Sequence, residues 1–419
     1  MRVTFLTHYF PPEVGAPQAR ISGLAERLAR RGVEVTVHTT FPHYPGGRIH
    51  APYRNRPLAR ERHGAVRVAR SAVYPAANRG FARRIANHLS FAASSLATAP
   101  LTAAADVVVT ESPPLFTAAA GVAYARAKGA RLVVNVADRW PASAVELGVL
   151  GPGLALQGAE ALERLCYRSA AAITVPTAGL VADLEALAEA RGKVVHMPPS
   201  VELEAFAPVP PPAPIAQLRA VYAGTVGLAQ GLDTLAEAAR RAGPDVVELR
   251  VAGDGAEAPA LRSLVDRDGL EHVRLVGVVP HSEVAGLYAR ADAAVVLLRD
   301  RPIFAGALPT KLLEAMAVAR PVILSARGEA ARLVEEAGAG IVVPPEDPAA
   351  LANAFEELAA DPDRRARLGR AGRRLVEERF GRERRADEWW GLLQSVVEGA
   401  PLSRRAARPP APGARRRAG

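Results

Sequence analysis

Short apolar runs of strand length alternate along this chain with longer amphipathic stretches. The first run covers residues 3–7, and beyond it apolar side chains recur at helical spacing from Ile21 to Leu28. That stretch ends on two arginines and Gly32, which is typical of a helix C-terminus, and residues 33–39 form the next apolar run. A strand, a helix and a strand in this order predict a βαβ unit of a parallel sheet.

A proline-rich segment divides this alternation into two series. Prolines stand at positions 198 and 199, and five more lie between positions 208 and 214, where neither a helix interior nor a central strand tolerates them. At 419 residues the chain is also too long for one ordinary core. We therefore predict an α/β protein with two doubly wound, Rossmann-like domains, at residues 1–205 and 206–380. Such domains place a ligand cleft at the carboxyl ends of their strands.

The composition is that of a globular protein, with 49% hydrophobic and 23% charged residues. The single cysteine, Cys166, excludes an internal disulfide framework and fits a reducing compartment. No secretory signal is visible, and the longest uncharged run, residues 85–105, is too rich in Ala, Ser and Thr for a membrane helix. These observations predict a cytoplasmic protein.

Much of the net charge of +10 lies at the C-terminus, where residues 401–419 hold six arginines and no acidic residue. Together with its Pro, Ala and Gly content, this charge predicts a disordered basic tail over residues 400–419. Two interpretations stay open. The tail contacts an anionic surface, such as the inner face of the cell membrane or nucleic acid, or it is solvated and dispensable.

The main candidate for a binding site is the start of a predicted helix near Thr310, which is a suitable N-cap. A buried strand over residues 293–298 leads through Pro309 into this helix, whose open N–H groups and positive dipole end attract anions. Lys311 adds a charge there, and Glu314 follows on the same face. A cation and a deeper carboxylate suit a diphosphate and a ribose diol. The alternative is an internal Lys311–Glu314 ion pair.

Glycine-containing loops follow the first predicted strand of each series. Gly224 and Gly227 lie in one such loop and Gly15 lies in the other, and backbone N–H groups of loops like these can approach an anion closely. The alternative for both loops is a tight turn. A third glycine pattern, residues 253–258, matches the dinucleotide-binding fingerprint, but the acidic residue expected after the next strand is missing. The pattern therefore does not predict a nicotinamide or flavin site.

Asp138 and Arg139 follow another predicted strand, residues 132–136. A carboxylate and a guanidinium at the carboxyl end of a parallel strand point toward the expected cleft, and a structural Asp–Arg pair is the alternative. The histidines show no metal-ligand spacing on a predicted helix. No resident metal or other cofactor is predicted.

In order over residues 2–380, the motifs resemble those of the GT-B glycosyltransferases of the large retaining family four. The resemblance is greatest to the branch of colanic acid, capsule and O-antigen synthesis. It rests on YFPPEVGAP (9–17), FPHYPG (41–46), SPP (112–114), DRWP (138–141) with ELG (146–148), YAG to QGL (222–232), GDG (253–255), and PTK (309–311) with Glu314. It implies a GT-B fold, in which two Rossmann-like domains face each other across a cleft, and a helix at 381–399 that packs back on the first domain.

The resemblance also implies roles for individual residues. The donor-binding residues would be Gly15, Gly224, Gly227, Val278, Val279, Leu308, Pro309, Thr310, Lys311 and Glu314. Of these, Glu314 would hold the ribose hydroxyls, Lys311 would hold the diphosphate, and Val278 with Val279 would lie near the base. Asp138 and Arg139 would lie on the acceptor side. The chain departs from the family at Gly306, where a second glutamate is usual, and at Thr225, Leu228 and Gln230, where basic residues are common.

The implied reaction moves a sugar from a nucleoside diphosphate sugar to a lipid-linked or oligosaccharide acceptor, with retention, in cell-surface polysaccharide biosynthesis. No carboxylate pair for double displacement stands out, which favours front-face attack. Lys311 and Asp138 would be the catalytic residues, and no bound metal would be needed. Two alternatives stay open: a nucleotide-sugar epimerase of the same fold, and a non-catalytic binder that uses the basic tail. No specific nucleic-acid partner is predicted.

Overall fold

The computed structural model describes residues 1–13, 15–76, 81–146, 150–213 and 215–402. The described residues divide into two compact units: unit 1 contains residues 1–198 and 385–402, and unit 2 is Pro199–Arg384. The crossing into unit 2 lies between the paired prolines, somewhat before residue 205. Residues 403–419, most of the predicted disordered tail, lie outside the described residues. No helix in the described ranges is both long and apolar enough to span a bilayer.

Unit 1 is built on one eight-stranded sheet with helices on its two faces. Its strands are β1 (Arg2–Leu6), β2 (Glu34–Thr40), β3 (Leu58–His63), β4 (Val66–Ser71), β5 (Val107–Ser112), β6 (Arg131–Val136), β7 (Ala172–Val175) and β8 (Val194–His196). Its helices are α1 (Ala16–Arg30), α2 (Phe81–Thr98), α3 (Leu115–Lys128), α4 (Ala142–Glu146), α5 (Leu154–Ser169) and α6 (Ala178–Glu185). The strand order is β3-β4-β2-β1-β5-β6-β7-β8, and the edge strand β3 is antiparallel to β4 while the other neighbours are parallel.

Both faces of this sheet are buried. Val107 and Val109 of β5 belong to one core, while Val108 between them belongs to the other. Strands buried on both faces read as continuous apolar runs, which is why the sequence pattern identified them. Ala386 and Trp389 join the core that contains Val107. They lie in the last helix, Arg382–Glu398, which thus packs on the unit-1 sheet from Arg385 onward.

Unit 2 repeats the architecture with six parallel strands. They are β9 (Leu218–Ala223), β10 (Val247–Ala252), β11 (Val273–Gly277), β12 (Ala293–Leu297), β13 (Val322–Ser325) and β14 (Gly340–Val343), in the order β11-β10-β9-β12-β13-β14. The helices are α7 (Leu232–Ala242), α8 (Ala258–Arg267), α9 (His281–Ala289), α10 (Thr310–Ala317), α11 (Glu329–Ala337), α12 (Pro348–Ala360) and α13 (Pro362–Arg379), and α14 (Arg382–Glu398) follows. The two doubly wound units confirm the predicted α/β fold class.

The strand order of unit 2 reverses at β9, which lies between β10 and β12. Loops after β9 and β12 therefore meet at the carboxyl edge, where open α/β sheets bind their ligands. Helix α10 follows β12, and its five apolar residues between Leu312 and Ala317 are all fully buried. Gly372 of α13 lies directly against it, since a Cβ at Gly372 would come within 2.9 Å of Cγ of Met316. The polar residues of α10 thus project from a firmly packed helix.

Candidate active site

Helix α10 begins where the sequence predicted, but its cap differs. Pro309, with φ −64° and ψ 134°, occupies the N-cap position, and Thr310 is the first helical residue. The expectation that Thr310 is the N-cap is therefore wrong. Because no described side chain caps the helix, its first N–H groups are not used by the protein's own side chains.

The side chain of Lys311 turns toward the end of β9. Its Nζ donates a hydrogen bond to the hydroxyl of Tyr222 at 2.6 Å and lies 4.1 Å from the centre of that ring. The Tyr222 hydroxyl in turn donates to the carbonyl oxygen of Thr225 at 2.5 Å. Burial lowers the pKa of Lys311 to about 8, and the nearby charge of Glu314 opposes this shift. The ammonium is thus fixed in position and incompletely solvated, which favours an anionic partner.

Gly224 lies directly under this ammonium. Its φ of 148° favours glycine, and a Cβ at this position would come within 2.6 Å of Nζ of Lys311. The structure therefore brings two separately predicted site residues into contact. Gly227, in the same loop, accepts a hydrogen bond from the backbone N–H of Gln230 at 3.1 Å and closes a tight turn.

Packing explains why glycines occupy the positions that match a dinucleotide-binding fingerprint. A Cβ at Gly253 would lie 1.8 Å from the carbonyl oxygen of Gly224, and one at Gly255 would lie 2.3 Å from that of Val226. The backbone N–H of Val226 also donates to the carbonyl of Asp254 at 3.0 Å. These glycines let the two loops pack backbone against backbone, and this contact fixes the position of Gly224.

Arg299 belongs to no motif in the sequence, yet from the end of β12 it forms hydrogen bonds that stabilise the same loop. Its Nε donates to the carbonyl of Leu228 and its backbone N–H to that of Ala229, each at 2.9 Å. Its terminal nitrogens donate to the carboxylates of Asp233 and Glu346, each at 3.0 Å. These partners occupy the guanidinium, so Arg299 fixes the loop rather than supplying a free cation to it.

Glu314 pairs with a histidine rather than with Lys311. Its Oε1 lies 3.1 Å from Nε2 of His281, and this hydrogen bond raises the pKa of the imidazole. The side chain of His281, the first residue of α9, is 46% exposed and that of Glu314 is 16% exposed. Within the described chain, the Lys311–Glu314 ion pair considered as an alternative does not form. Nothing in the sequence indicated His281, since 33 positions separate it from its partner.

The apolar residues predicted near a nucleotide base lie beside these helix starts. Val278 is 75% exposed, and Val279 packs with Leu308 against one core of unit 2. Pro309 is half-buried between Leu308 and the start of α10. The segment before α9 therefore offers apolar surface next to His281, while its contact with a base stays a prediction.

Three predicted residues lie in unit 1. Gly15 is the N-cap of α1, with an extended φ of 164°, and a Cβ there would lie 2.6 Å from Oε1 of Gln18. Asp138 and Arg139 follow β6, and the charge of Arg139 acts on the buried carboxyl group of Glu163 in α5. Nε of Arg139 is buried without a hydrogen-bond partner in the described chain.

The described residues contain no group of three or more His, Cys, Asp or Glu side chains placed to hold a metal ion. The side chains that the structure does bring together are therefore the cation Lys311, its support Tyr222 and the carboxylate Glu314. All of them border the carboxyl edge of the unit-2 sheet. This arrangement can bind a phosphate group beside a diol.

Two family models match the chain. A "Glycosyl transferase 4-like domain" matches residues 15–200, and "Glycosyl transferases group 1" matches residues 217–361. The putative colanic acid biosynthesis glycosyl transferase WcaI of Escherichia coli K12 is 26% identical over 363 residues, which cover 82% of this chain and 88% of WcaI.

Solved structures with the same fold include sucrose-phosphate synthase from Thermosynechococcus elongatus. It matches with a TM-score of 0.76 and 22% identity, over 95% of this chain and 99% of that one. HepE from Anabaena, in complex with UDP-glucose, matches with a TM-score of 0.67 and 16% identity, over 94% of this chain and 100% of HepE. At such identities the likeness shows the fold. With both units matched by glycosyltransferase models, this chain belongs to the GT-B glycosyltransferases of family four.

Proposed function

We propose that the protein transfers a sugar from a nucleoside diphosphate sugar to a hydroxyl group of a lipid-linked or oligosaccharide acceptor, with retention of configuration. The proposed setting is cell-surface polysaccharide biosynthesis, since the relative WcaI carries colanic acid biosynthesis in its name. The reaction takes place in the cytoplasm or at the inner face of the cell membrane. It requires no resident metal or cofactor.

The observation that carries this proposal is the position of Lys311. Its ammonium lies at the start of α10, over Gly224 and against Tyr222, at the point where the strand order of unit 2 reverses. Helix starts at such points favour phosphate groups, through backbone N–H groups and the helix dipole. The likeness to HepE, a structure that contains UDP-glucose, supports a nucleotide sugar as the ligand.

The remaining contacts in the proposal are those that the family resemblance implies. Glu314 lies one turn beyond Lys311, and its carboxylate accepts hydrogen bonds from the ribose hydroxyls. The His281 imidazole, which already bonds to Glu314 at 3.1 Å, keeps this carboxylate oriented when no donor is bound. The base lies against the exposed side chain of Val278 and the half-buried side chain of Val279. In unit 1, Asp138 and Arg139 position the acceptor.

The proposed chemistry is front-face attack. The acceptor hydroxyl attacks the anomeric carbon on the side that the diphosphate leaves, and a phosphate oxygen of the leaving group takes the hydroxyl proton. Negative charge grows on the diphosphate, and Lys311 with the open N–H groups of Thr310 and Lys311 stabilises it. The protein contributes orientation and charge stabilisation, and it forms no covalent bond to the sugar.

The first test is a thermal-shift screen of the purified protein against a panel of nucleoside diphosphate sugars. A ligand that binds only the folded state raises the melting temperature by mass action, so one donor should stand out. Glu314→Gln should abolish that shift. Glu283→Gln is the matched control, because Glu283 is an exposed acid in the first turn of the neighbouring helix α9. A full shift in the Glu314 variant would contradict the proposed donor site.

A second test separates the proposal from its alternatives. The donor identified by the screen is incubated with and without extracts that contain glycan acceptors. Transfer of the sugar to an acceptor supports the proposal if NMR shows that the product has the same anomeric configuration as the donor. Conversion of the donor to an isomer without acceptor indicates an epimerase instead. Loss of function on removal of residues 403–419, with Glu314→Gln fully active, would indicate a non-catalytic binder.

A further inference from the structure

A line of buried polar side chains crosses the carboxyl edge of the unit-1 sheet. Thr7 follows β1, and its hydroxyl donates to Oε2 of Glu111 in β5 at 2.6 Å. Nδ2 of Asn135 in β6 donates to Oε1 of Glu111 at 3.4 Å, and the hydroxyl of Thr174 in β7 donates to Oδ1 of Asn135 at 2.9 Å. Each of these four residues is at most 9% exposed. The network therefore holds the Glu111 carboxylate in one orientation.

One member of the network reaches the surface. Arg20 of α1 donates from Nη2 to Oε1 of Glu111 at 2.5 Å, and its side chain is 40% exposed. Its Nε is buried without a partner among the described residues. A guanidinium has five N–H donors on two usable edges, so the contact with Glu111 leaves donors for a second acceptor. A buried N–H group without a partner is costly unless a ligand or water satisfies it.

The location of Arg20 matches that of a ligand site. The strand order of unit 1 reverses at β1, which lies between β2 and β5, and Glu111 is the last residue but one of the neighbouring strand β5. Open α/β sheets bind ligands outside the carboxyl ends of the strands at such a reversal. Arg20 is therefore a cation with unused donors, aimed by a buried carboxylate, at the ligand-binding edge of unit 1.

We propose that Arg20, oriented by Glu111, binds a phosphate oxyanion at this edge. The planar guanidinium presents paired N–H groups that match two phosphate oxygens, and the buried network keeps it in the binding rotamer. The choice of phosphate rests on the proposed function, whose substrates carry phosphate groups. The phosphate belongs either to an isoprenoid diphosphate or to free pyrophosphate, and the experiment below separates these sources.

The experiment uses the full-length protein with Lys311→Ala, so that the unit-2 site does not report on anions. Binding of geranyl diphosphate and of inorganic pyrophosphate is measured by calorimetry, with geraniol as the uncharged reference. Arg20→Ala should weaken binding about tenfold or more, the usual effect of removing a hydrogen bond to a charged group. Arg20→Lys keeps the positive charge but loses the paired N–H groups of the guanidinium. Its affinity for the probes should lie between those of the unchanged protein and of Arg20→Ala. Glu111→Gln should weaken binding without changing any group that touches the ligand.

The matched control is Arg31→Ala. Arg31 caps the other end of α1 and pairs with Asp387 at 2.7 Å, so this change removes the same charge at the opposite end of the helix. It should leave both affinities unchanged. With Arg20 intact, an affinity for geranyl diphosphate well above that for pyrophosphate identifies an isoprenoid diphosphate, and equal affinities for the two probes identify free pyrophosphate, provided that Arg20→Ala weakens the binding in each case. Both results support the proposal.

The proposal is overturned if neither probe binds, if neither affinity depends on Arg20, or if Arg31→Ala has the same effect. Melting temperatures distinguish a folding defect from a binding defect, and Arg20→Lys keeps the test valid if Arg20→Ala does not fold. Thermal shifts by the donor, measured with Lys311 restored, report on the donor site around Lys311. If these donor shifts persist in Arg20→Ala, the donor site at Lys311 and the phosphate site at Arg20 are independent, and each proposal can fail without the other.

Discussion

The ammonium of Lys311 lies 2.6 Å from the hydroxyl of Tyr222, although 89 positions separate the two residues in the sequence. The hydroxyl gives its own hydrogen to the carbonyl of Thr225, so it can only accept from Lys311. The cation is thereby positioned before any ligand arrives. Donors that are positioned in advance stabilise developing charge without reorganisation at the moment of reaction.

Lys311→Ala should lower kcat strongly. Removing one preorganised donor that stabilises developing charge costs about 2.7–4 kcal/mol, which corresponds to a hundredfold to thousandfold loss. The measurement is the rate of sugar transfer at saturating donor. Lys193→Ala serves as the control, because Lys193 donates to two carbonyl groups at the end of α5 in unit 1. A loss of less than about threefold in Lys311→Ala would argue against the assigned role.

The pH profile should show the titration of Lys311. With a pKa of about 8 in the free protein, the fraction of charged Lys311 falls as the pH rises through that value. The kcat/KM for the donor should fall above it, since kcat/KM reports the groups of the free enzyme. Tyr222→Phe removes a hydrogen-bond acceptor and should shift this limb. A profile that stays flat through the same range would contradict the assignment.

The same pKa has a consequence for stability. In the unfolded chain the group has its ordinary pKa of 10.5, so between pH 8 and 10.5 the unfolded chain binds more protons than the folded one. The contribution of Lys311 to the free energy of unfolding therefore rises with pH across this window. Chemical denaturation of the wild type and of Lys311→Met at both limits measures it. An equal pH dependence in the two proteins would contradict the shift.

Gly224→Ala should impair donor binding more than folding. The new Cβ would meet Nζ of Lys311 at 2.6 Å, and the φ of 148° would be strained for alanine. We expect donor affinity to fall at least about tenfold, together with a loss of roughly 1–3 kcal/mol in stability. Gly158→Ala is the matched control: no heavy atom lies within 4 Å of its Cβ position, and alanine in this helix should stabilise by roughly 0.5–1 kcal/mol.

His281→Gln should lower stability only at acidic pH. Because the hydrogen bond with Glu314 raises the pKa of His281 above 6.5, the ion pair stabilises fully below that value and is lost as the pH rises through the raised pKa. The half-exposed pair is worth less than about 1 kcal/mol. Thermal melting at about pH 5.5 and about pH 8.5 measures it. A double-mutant cycle with Glu314→Gln should give a smaller coupling energy at the higher pH, where the imidazole is neutral.

Cys166 should be unreactive in the folded protein. The residue is 1% exposed, and burial raises the pKa of its thiol to about 12, so almost no thiolate forms near neutral pH. Ellman's reagent should modify it only after unfolding, when one thiol per chain becomes available. Rapid modification of the native protein would show that the core around α5 opens readily.

The sequence alone determined the repeated architecture and the start of helix α10. Strands buried on both faces, such as β5, appear as continuous apolar runs, and the prolines near residue 200 interrupt the pattern. Strand β3 gave no such signal: it lies at the sheet edge, where only one neighbour pairs with it, and three consecutive charged residues, Arg60 to Arg62, interrupt its apolar pattern. Lys311 and Glu314 were identified because helix starts and i, i+3 spacing are local properties.

Only the tertiary structure decided what these side chains contact. Lys311 contacts Tyr222, which lies 89 positions away in the sequence. Glu314 contacts His281 at a separation of 33 positions, and Arg20 contacts Glu111 at a separation of 91. Apolar periodicity records which face of an element is buried, but it does not record strand order. Strand order places loops that are distant in the chain at one carboxyl edge, and it therefore determines which charges meet there.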